Sequence, residues 1–281
     1  MNHTGDGVEG GPRVALFLSG RVMGYQHVWG HLRAVLDKYR PTVFVSLNLD
    51  LDDPSPSSRA MVENADGFLD TIGLTRDSPR VNIEKTVVPE EWTMLAKGYG
   101  ADTWSFRFYS MHLHNHRCIE MIRRYQEVEG KQFDIVIKYR ADIDTREGTA
   151  GLPEVVQVLA TGDGTVWVPD LMNFGGANDQ IGFGTWPTME KYGSLILHWE
   201  RIFSSLMTPE INAETLIHSY LVHIMGLTIY RFHLPYWLHD SRYEHNPRPF
   251  TPRDPVLKKA RIIYQAQLKA NEHLFRIRNK P

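Results

Sequence analysis

The chain has 281 residues, 42% of them hydrophobic, enough to bury a sizeable core in one large domain or two closely joined lobes. A net charge of −2, from 31 basic and 33 acidic residues, gives no global basic field to draw it to nucleic acid. The single cysteine, Cys118, excludes an internal disulfide framework and a cysteine-based zinc site and suits a reducing compartment. Residues 1–12 are Gly-rich and acidic without an apolar run and read as a disordered tail. No stretch reaches membrane-spanning length, so the expectation is a protein with no membrane span, in the cytoplasm.

In chain order, the apolar run 14–18 predicts a central parallel strand closed by Ser19-Gly20-Arg21, a tight loop that exposes backbone. A helix over 26–39 follows, with Val28, Leu32, Val35, Leu36 and Tyr39 on one face, and Pro41 stops it before a strand over 42–47. Residues 48–58, with Asp50, Asp52 and Asp53 among two prolines, read as a loop over the same sheet edge. A short helix and a strand over 81–87 come next. The longest helical candidate spans 103–129, where Phe108, Met111, Cys118, Ile122 and Tyr125 recur at helical spacing. Its His112 and His116 share a face, but no Glu accompanies them as in a zinc-protease helix. The expectation is one buried and one exposed histidine rather than a metal site.

The most informative stretch is 133–144, an apolar strand running into Asp142-Ile143-Asp144. Two carboxylates two residues apart on a strand point to one side, and at the mouth of an α/β sheet they can hold a hard divalent cation and its phosphate ligands. Arg140, just before them, reads as a phosphate contact or as half of a salt bridge to Asp134 or to a loop carboxylate. Beyond lie a helical patch over 153–160, a turn at 161–164 and a strand over 165–168. An irregular Gly-rich stretch over 170–179, a short strand over 180–184, helices over 187–206 and 209–225 and a strand over 227–234 follow. A loop rich in Pro, His and Arg over 236–255 precedes a basic terminal helix over 256–278.

Several segments together resemble the GT-A-like glycosyltransferases of bacterial surface-polysaccharide loci and of large DNA viruses of algae. They are Ser19-Gly20-Arg21, Val43-Phe44-Val45-Ser46, Ser105-Phe106-Arg107-Phe108-Tyr109-Ser110-Met111, the strand 133–142, Asn178-Asp179-Gln180-Ile181-Gly182-Phe183-Gly184, Met189-Glu190-Lys191-Tyr192 and Pro209-Glu210. Their order covers most of the chain. Many members carry a single Asp after the Arg, so the second one here leaves open which carboxylate touches metal. The resemblance implies one GT-A-like domain over 13–281, a Rossmann-like nucleotide-binding half over about 13–145 joined to an acceptor half over about 146–255, with a mixed central sheet flanked by helices. It also implies an inverting transfer from a UDP-linked sugar onto a hydroxyl of an oligosaccharide or glycoprotein, with Mn2+ or Mg2+. Similarity to viral xylosyltransferases within the group points to UDP-xylose.

On that reading Asp142 and Asp144 are the metal and ribose ligands, with a capped, solvated turn as the ordinary alternative. Ser19, Gly20 and Arg21 border the nucleotide, and Arg140 braces the loop or touches phosphate. His239 or His245, in the late loop with Asp240, Arg242 and Arg248, completes the metal shell or clamps the diphosphate. Asp179 is the candidate base, since an attacking hydroxyl must lose its proton to a group within hydrogen-bond reach. The alternative for Asp179 is a carboxylate that only shapes its loop by accepting backbone amides. Asp50, Asp52 and Asp53 are its rivals. Readings of other classes are a noncatalytic carbohydrate-binding scaffold on a degenerate transferase fold, and a nucleotidyltransferase. The latter lacks a Gly-rich motif with a phosphate-gripping lysine near its first strand.

Overall fold

The computed structural model describes residues 11–238 except residues 21, 23–24, 99–104, 146–148, 172, 174–175, 206–212 and 235. The chain forms β1 (Val14–Gly20), α1 (Tyr25–Tyr39), β2 (Thr42–Asn48), α2 (Pro56–Thr71), β3 (Val81–Glu84), α3 (Glu90–Gly98), α4 (Ser105–Glu129) and β4 (Ile135–Tyr139). It continues through β5 (Ile143–Asp144), α5 (Val155–Ala160), β6 (Thr165–Pro169), β7 (Gly182–Thr185), α6 (Trp186–Gly193), α7 (Trp199–Ser205), α8 (Ala213–His218), β8 (Thr228–Phe232) and β9 (Trp237–Leu238). A 3-10 turn, Leu195–His198, links α6 to α7, and α8 widens into a π-helical stretch, Ser219–Ile224.

Seven strands make one sheet in the order β3-β2-β1-β4-β7-β6-β8, and β5 and β9 make a separate antiparallel pair. Only β7 runs against its neighbours in the large sheet, so this is the mixed α/β sheet the sequence predicts. From β1 the chain steps outward to β2 and β3, and α4 then returns it past β1 to β4. Strand order therefore reverses between β1 and β4, and beyond the carboxyl ends of those two strands lies the crevice in which open α/β sheets bind ligands.

Side chains alternate across the sheet and put a core on each face. Leu16, Leu18, Val45, Ile135 and Ile137 pack against Leu32 and Val35 of α1 and Phe68 and Leu69 of α2. Ala15, Phe17, Phe44 and Val136 pack against Phe108, Ile119 and Ile122 of α4, with Met189 of α6 and Leu216 of α8 behind. The same alternation sends Ser19, Ser46, Asn48 and Lys138 toward the α4 face, so that face turns polar as it nears the carboxyl edge.

Several elements differ from expectation. Ser19 and Gly20 still pair with β2, and Gly20 ends the strand at φ +101°, a backbone open to glycine. The loop after β2 is shorter than predicted, because Ser55 caps the Ser58 amide and Pro56 begins the 16-residue helix α2. The helix over 187–206 is broken after Gly193, where a Cβ would lie 2.2 Å from Ile119; α6 ends in that close approach to α4. Asp142-Ile143-Asp144 is not a strand end: Asp142 stands in a turn, while Ile143 and Asp144 pair with Leu238 and Trp237. The two carboxylates therefore do not sit at alternate positions of one strand.

Candidate functional site

Two groups of buried polar side chains lie under the carboxyl edge. The first fills the space between α4 and the ends of β1, β2 and β3. Ser19 Oγ donates to Asn115 Oδ1 at 2.5 Å, and Ser46 Oγ meets His114 Nδ1 at 2.7 Å. Thr86 Oγ1 meets His114 Nε2 at 3.0 Å and Ser110 Oγ at 2.9 Å, and Asn48 Nδ2 donates to the same Ser110 oxygen. Burial lowers His114 to about 4, so its ring is neutral and each nitrogen has a partner. His112, His114 and His116 are all buried, contrary to the expected split of one in and one out, because α4 is covered on more than one side. Among the described residues no group of three or more His, Cys, Asp or Glu could hold a metal ion.

Beside this layer a cleft of about 210 Å³ opens between Gly20, Val22, Leu47, Asn48, Leu49, Asp50, Ser58, Met61 and Lys85. Of the acidic residues expected over this edge, Asp50 pairs with Lys85 at 2.7 Å at the cleft rim. Asp53 accepts from the Ser55 amide and from Ser58 Oγ at 2.6 Å, fixing the start of α2. These contacts give both carboxylates structural partners.

The second group gathers where β4 meets β7. Arg140 donates to both oxygens of Asp142, from Nε at 2.8 Å and from Nη2 at 2.6 Å. Burial alone would lower the guanidinium, but the Asp142 carboxylate holds it above its ordinary value. The salt bridge is thus to the loop carboxylate, while Asp134 accepts instead from the Arg13 amide at 2.7 Å. Lys138, at 0% exposure, donates to the backbone carbonyl of Asp179. Burial lowers its ammonium to about 8 against the raising pull of the Asp179 charge.

In the loop before β7 the hydrogen bonds fall unevenly on Asn178 and Asp179. Asn178, not Asp179, shapes it: Asn178 Oδ1 accepts from the amides of Gln180 at 2.9 Å and Ile181 at 3.1 Å. Asn178 Nδ2 donates to the Leu171 carbonyl and to the Tyr236 hydroxyl at 2.6 Å. Asp179 is 8% exposed, and its Oδ1 has no hydrogen-bond partner among the described residues. Such an oxygen is costly to bury and is a candidate proton acceptor.

Sequence reasoning missed two members of this group. Glu214, in the first turn of α8, is raised to about 8 by burial first and the Asp179 charge second. On sequence it is an ordinary acidic residue at a helix start. Lys138 did carry a signal, as the one charge inside an apolar strand, which demands an acceptor when buried.

Ser19 and Gly20 thus stand at the end of β1, Arg140 and Asp142 just beyond the end of the adjacent β4, and Asp179 against Lys138 where β4 meets β7. Arg21, His239, His245, Asp240, Arg242 and Arg248 lie outside the described residues, as do the tail and the terminal helix. Of Asp144 only the backbone is described. For a cation, Asp142 fits in donor chemistry: a carboxylate has about four lone-pair sites, and Arg140 occupies two of them. A ligating carboxylate is commonly oriented by such an outer hydrogen bond. No protein-family model and no curated protein matches this sequence.

Proposed function

We propose that this chain is a nucleotide-sugar-dependent glycosyltransferase, inverting, with a UDP-linked donor, UDP-xylose foremost, and a glycan or glycoprotein hydroxyl as acceptor. The observation that carries this reading is the convergence on one crevice of the Arg140–Asp142 pair and the partnerless Asp179 carboxylate, next to a cleft at the ends of β1 and β2.

In this reading the nucleoside occupies the cleft beside Gly20, Leu47 and Asn48, and the diphosphate lies toward Arg140. Asp142, through its two remaining lone-pair sites, and Asp144 would hold Mn2+ or Mg2+, which when bound neutralises the charge growing on the leaving diphosphate. Asp179 Oδ1 takes the proton of the acceptor hydroxyl as that oxygen attacks the anomeric carbon. Lys138, gripping the Asp179 carbonyl, holds the loop in place. Arg140 does two things: it orients Asp142 and adds positive charge where the diphosphate departs.

The test is a panel of nucleotide sugars incubated without acceptor, with release of nucleoside diphosphate as the readout. The expected result is slow turnover of one UDP-sugar, suppressed by excess EDTA. No turnover of any donor, together with no binding of UDP, would overturn the proposal.

A further inference from the structure

The cleft at the ends of β1 and β2 is uneven in chemistry. Val22, Leu47, Leu49 and Met61 give it apolar wall, the kind of surface that takes the faces of a flat ring. Its neutral polar side chains are turned to the protein. Asn48 Nδ2 donates to Ser110 Oγ at 3.0 Å, Asn48 Oδ1 accepts from the Thr86 amide at 2.9 Å, and Ser58 Oγ gives its one proton to Asp53 at 2.6 Å. The charged members of the described lining are Asp50, two residues past β2, and Lys85, just past β3.

The Asp50 carboxylate is held from two sides. Its Oδ1 accepts from the Asp52 amide at 3.2 Å, and its Oδ2 pairs with Lys85 Nζ at 2.7 Å. The hydrogen bond from Lys85, the largest cause, keeps the Asp50 carboxyl below its ordinary value, so it is ionised at neutral pH. A carboxylate has about four lone-pair sites, and these contacts take one on each oxygen. Each oxygen therefore keeps an accepting site, in an orientation already fixed. Asp52 and Asp53 do not line the cleft, and Asp53 is bonded to Ser55 and Ser58. Two acceptors side by side select what can meet them. A phosphate carries like charge and is repelled, and a hard cation needs six or more oxygens, where here it meets one carboxylate beside an ammonium. A vicinal diol supplies two O–H donors, one for each oxygen.

We infer that Asp50 determines specificity for the ribose of the bound nucleotide, accepting from its 2′- and 3′-hydroxyls on the two carboxylate oxygens while Lys85 holds the carboxylate in place. This rests on the reading above that a nucleotide-sugar occupies the crevice. The base lies against the apolar wall, and the charge of Asp50 turns the diphosphate away from the cleft, toward Arg140. Ribonucleotides satisfy both free sites of the carboxylate, whereas a nucleotide without the diol leaves them unmet.

The experiment is calorimetry with two probes, UDP and 2′,3′-dideoxy-UDP, on wild type, Asp50→Ala and Lys85→Ala. Wild type should prefer UDP by at least about tenfold. In Asp50→Ala the two affinities should come within about twofold of each other, whatever change the probes share. Lys85→Ala breaks the same ion pair but leaves the carboxylate, so it should keep a preference for UDP. A purely structural role for the pair would instead move both probes alike and leave their ratio untouched. The inference is overturned if wild type binds the probes equally, if Asp50→Ala keeps the wild-type ratio, or if both variants lose it equally. No binding of UDP by wild type overturns the nucleotide reading and this inference with it, whereas UDP binding without a preference overturns this inference alone.

Discussion

The polar layer under α4 and the chamber where β4 meets β7 lie at the same sheet edge, and both are buried, yet they are built on opposite rules. In the layer, Ser46, Asn82, Thr86, Ser110 and His114 bond one another in a connected network of neutral groups. In the chamber, among the described residues, charged groups outnumber their partners: Lys138 has a backbone carbonyl, Asp179 Oδ1 has no hydrogen-bond partner, and Glu214 makes no ion pair. A connected buried network of neutral groups specifies one packing even where a member such as Asn115 Nδ2 has no partner among the described residues, whereas buried charge left without a partner is stable only where something else is gained, and that difference separates architecture from chemistry.

Substitutions should break the two regions in different ways. The largest effect expected is on turnover. Asp179→Asn removes the proposed proton acceptor, whose Oδ1 makes no hydrogen bond among the described residues. Transfer should fall by about two to four orders of magnitude with UDP binding kept, read from kcat beside calorimetry. Turnover within a fewfold of wild type would move the base elsewhere. Asp144→Ala should cost at least about a hundredfold in turnover with the fold retained, and full activity in excess EDTA would remove the metal from the account.

Next come stability effects. Asn178→Ala strips acceptors from two amides and a partner from Tyr236, and should cost about 1–3 kcal/mol in urea unfolding, unlike its neighbour Asp179→Asn. Ser46→Ala leaves His114 and Asn82 each short of a partner and should cost about 1–2 kcal/mol, without altering affinity for UDP. Equal losses from Asn178→Ala and Asp179→Asn would erase the distinction between loop shaper and base.

The smallest effect is the most discriminating, because pH should act on the two regions with opposite sign. His114 is lowered from 6.5 to about 4, so the unfolded chain binds more protons in that window, and its contribution is full above pH 6.5 and lost as pH falls toward 4. Glu214 is raised from 4.5 to about 8, so the native chain binds more protons there, and its contribution is full below pH 4.5 and lost as pH rises to 8. Thermal midpoints across pH 4–9 should therefore decline more steeply on the alkaline side in wild type than in Glu214→Gln. Superimposable curves would contradict a partly buried Glu214 that keeps its proton in the folded chain.

Much of the frame was legible because its signals are local. The apolar run of β1, the face of α1 carrying Leu32 and Val35, and the stop at Pro41 need only neighbours in sequence. The break of Asp142-Ile143-Asp144 into a turn and a small separate sheet was not, because it depends on pairing with Trp237 and Leu238, far along the chain. The partition of work between Asn178 and Asp179 is tertiary too: either side chain suits a loop cap, and only the fold shows which one faces the amides. Gly20 carries a caution of the same kind. Its φ of +101° strains any substituent, so a bulky residue there would disturb β1 whether or not a nucleotide sits nearby. Met61, on the cleft wall at α2, is the cleaner position to fill.

The central claim is that the crevice between β1 and β4 is where a nucleotide-sugar reacts, and UDP calorimetry tests it most directly. Titrations of wild type, Met61→Trp and Asp179→Asn should be run with and without manganese. The account predicts saturable UDP binding that manganese strengthens, that Met61→Trp weakens at least tenfold and that Asp179→Asn leaves unchanged, a tenfold loss being about 1.4 kcal/mol. No UDP binding by wild type, or binding indifferent to the filled cleft, would contradict it.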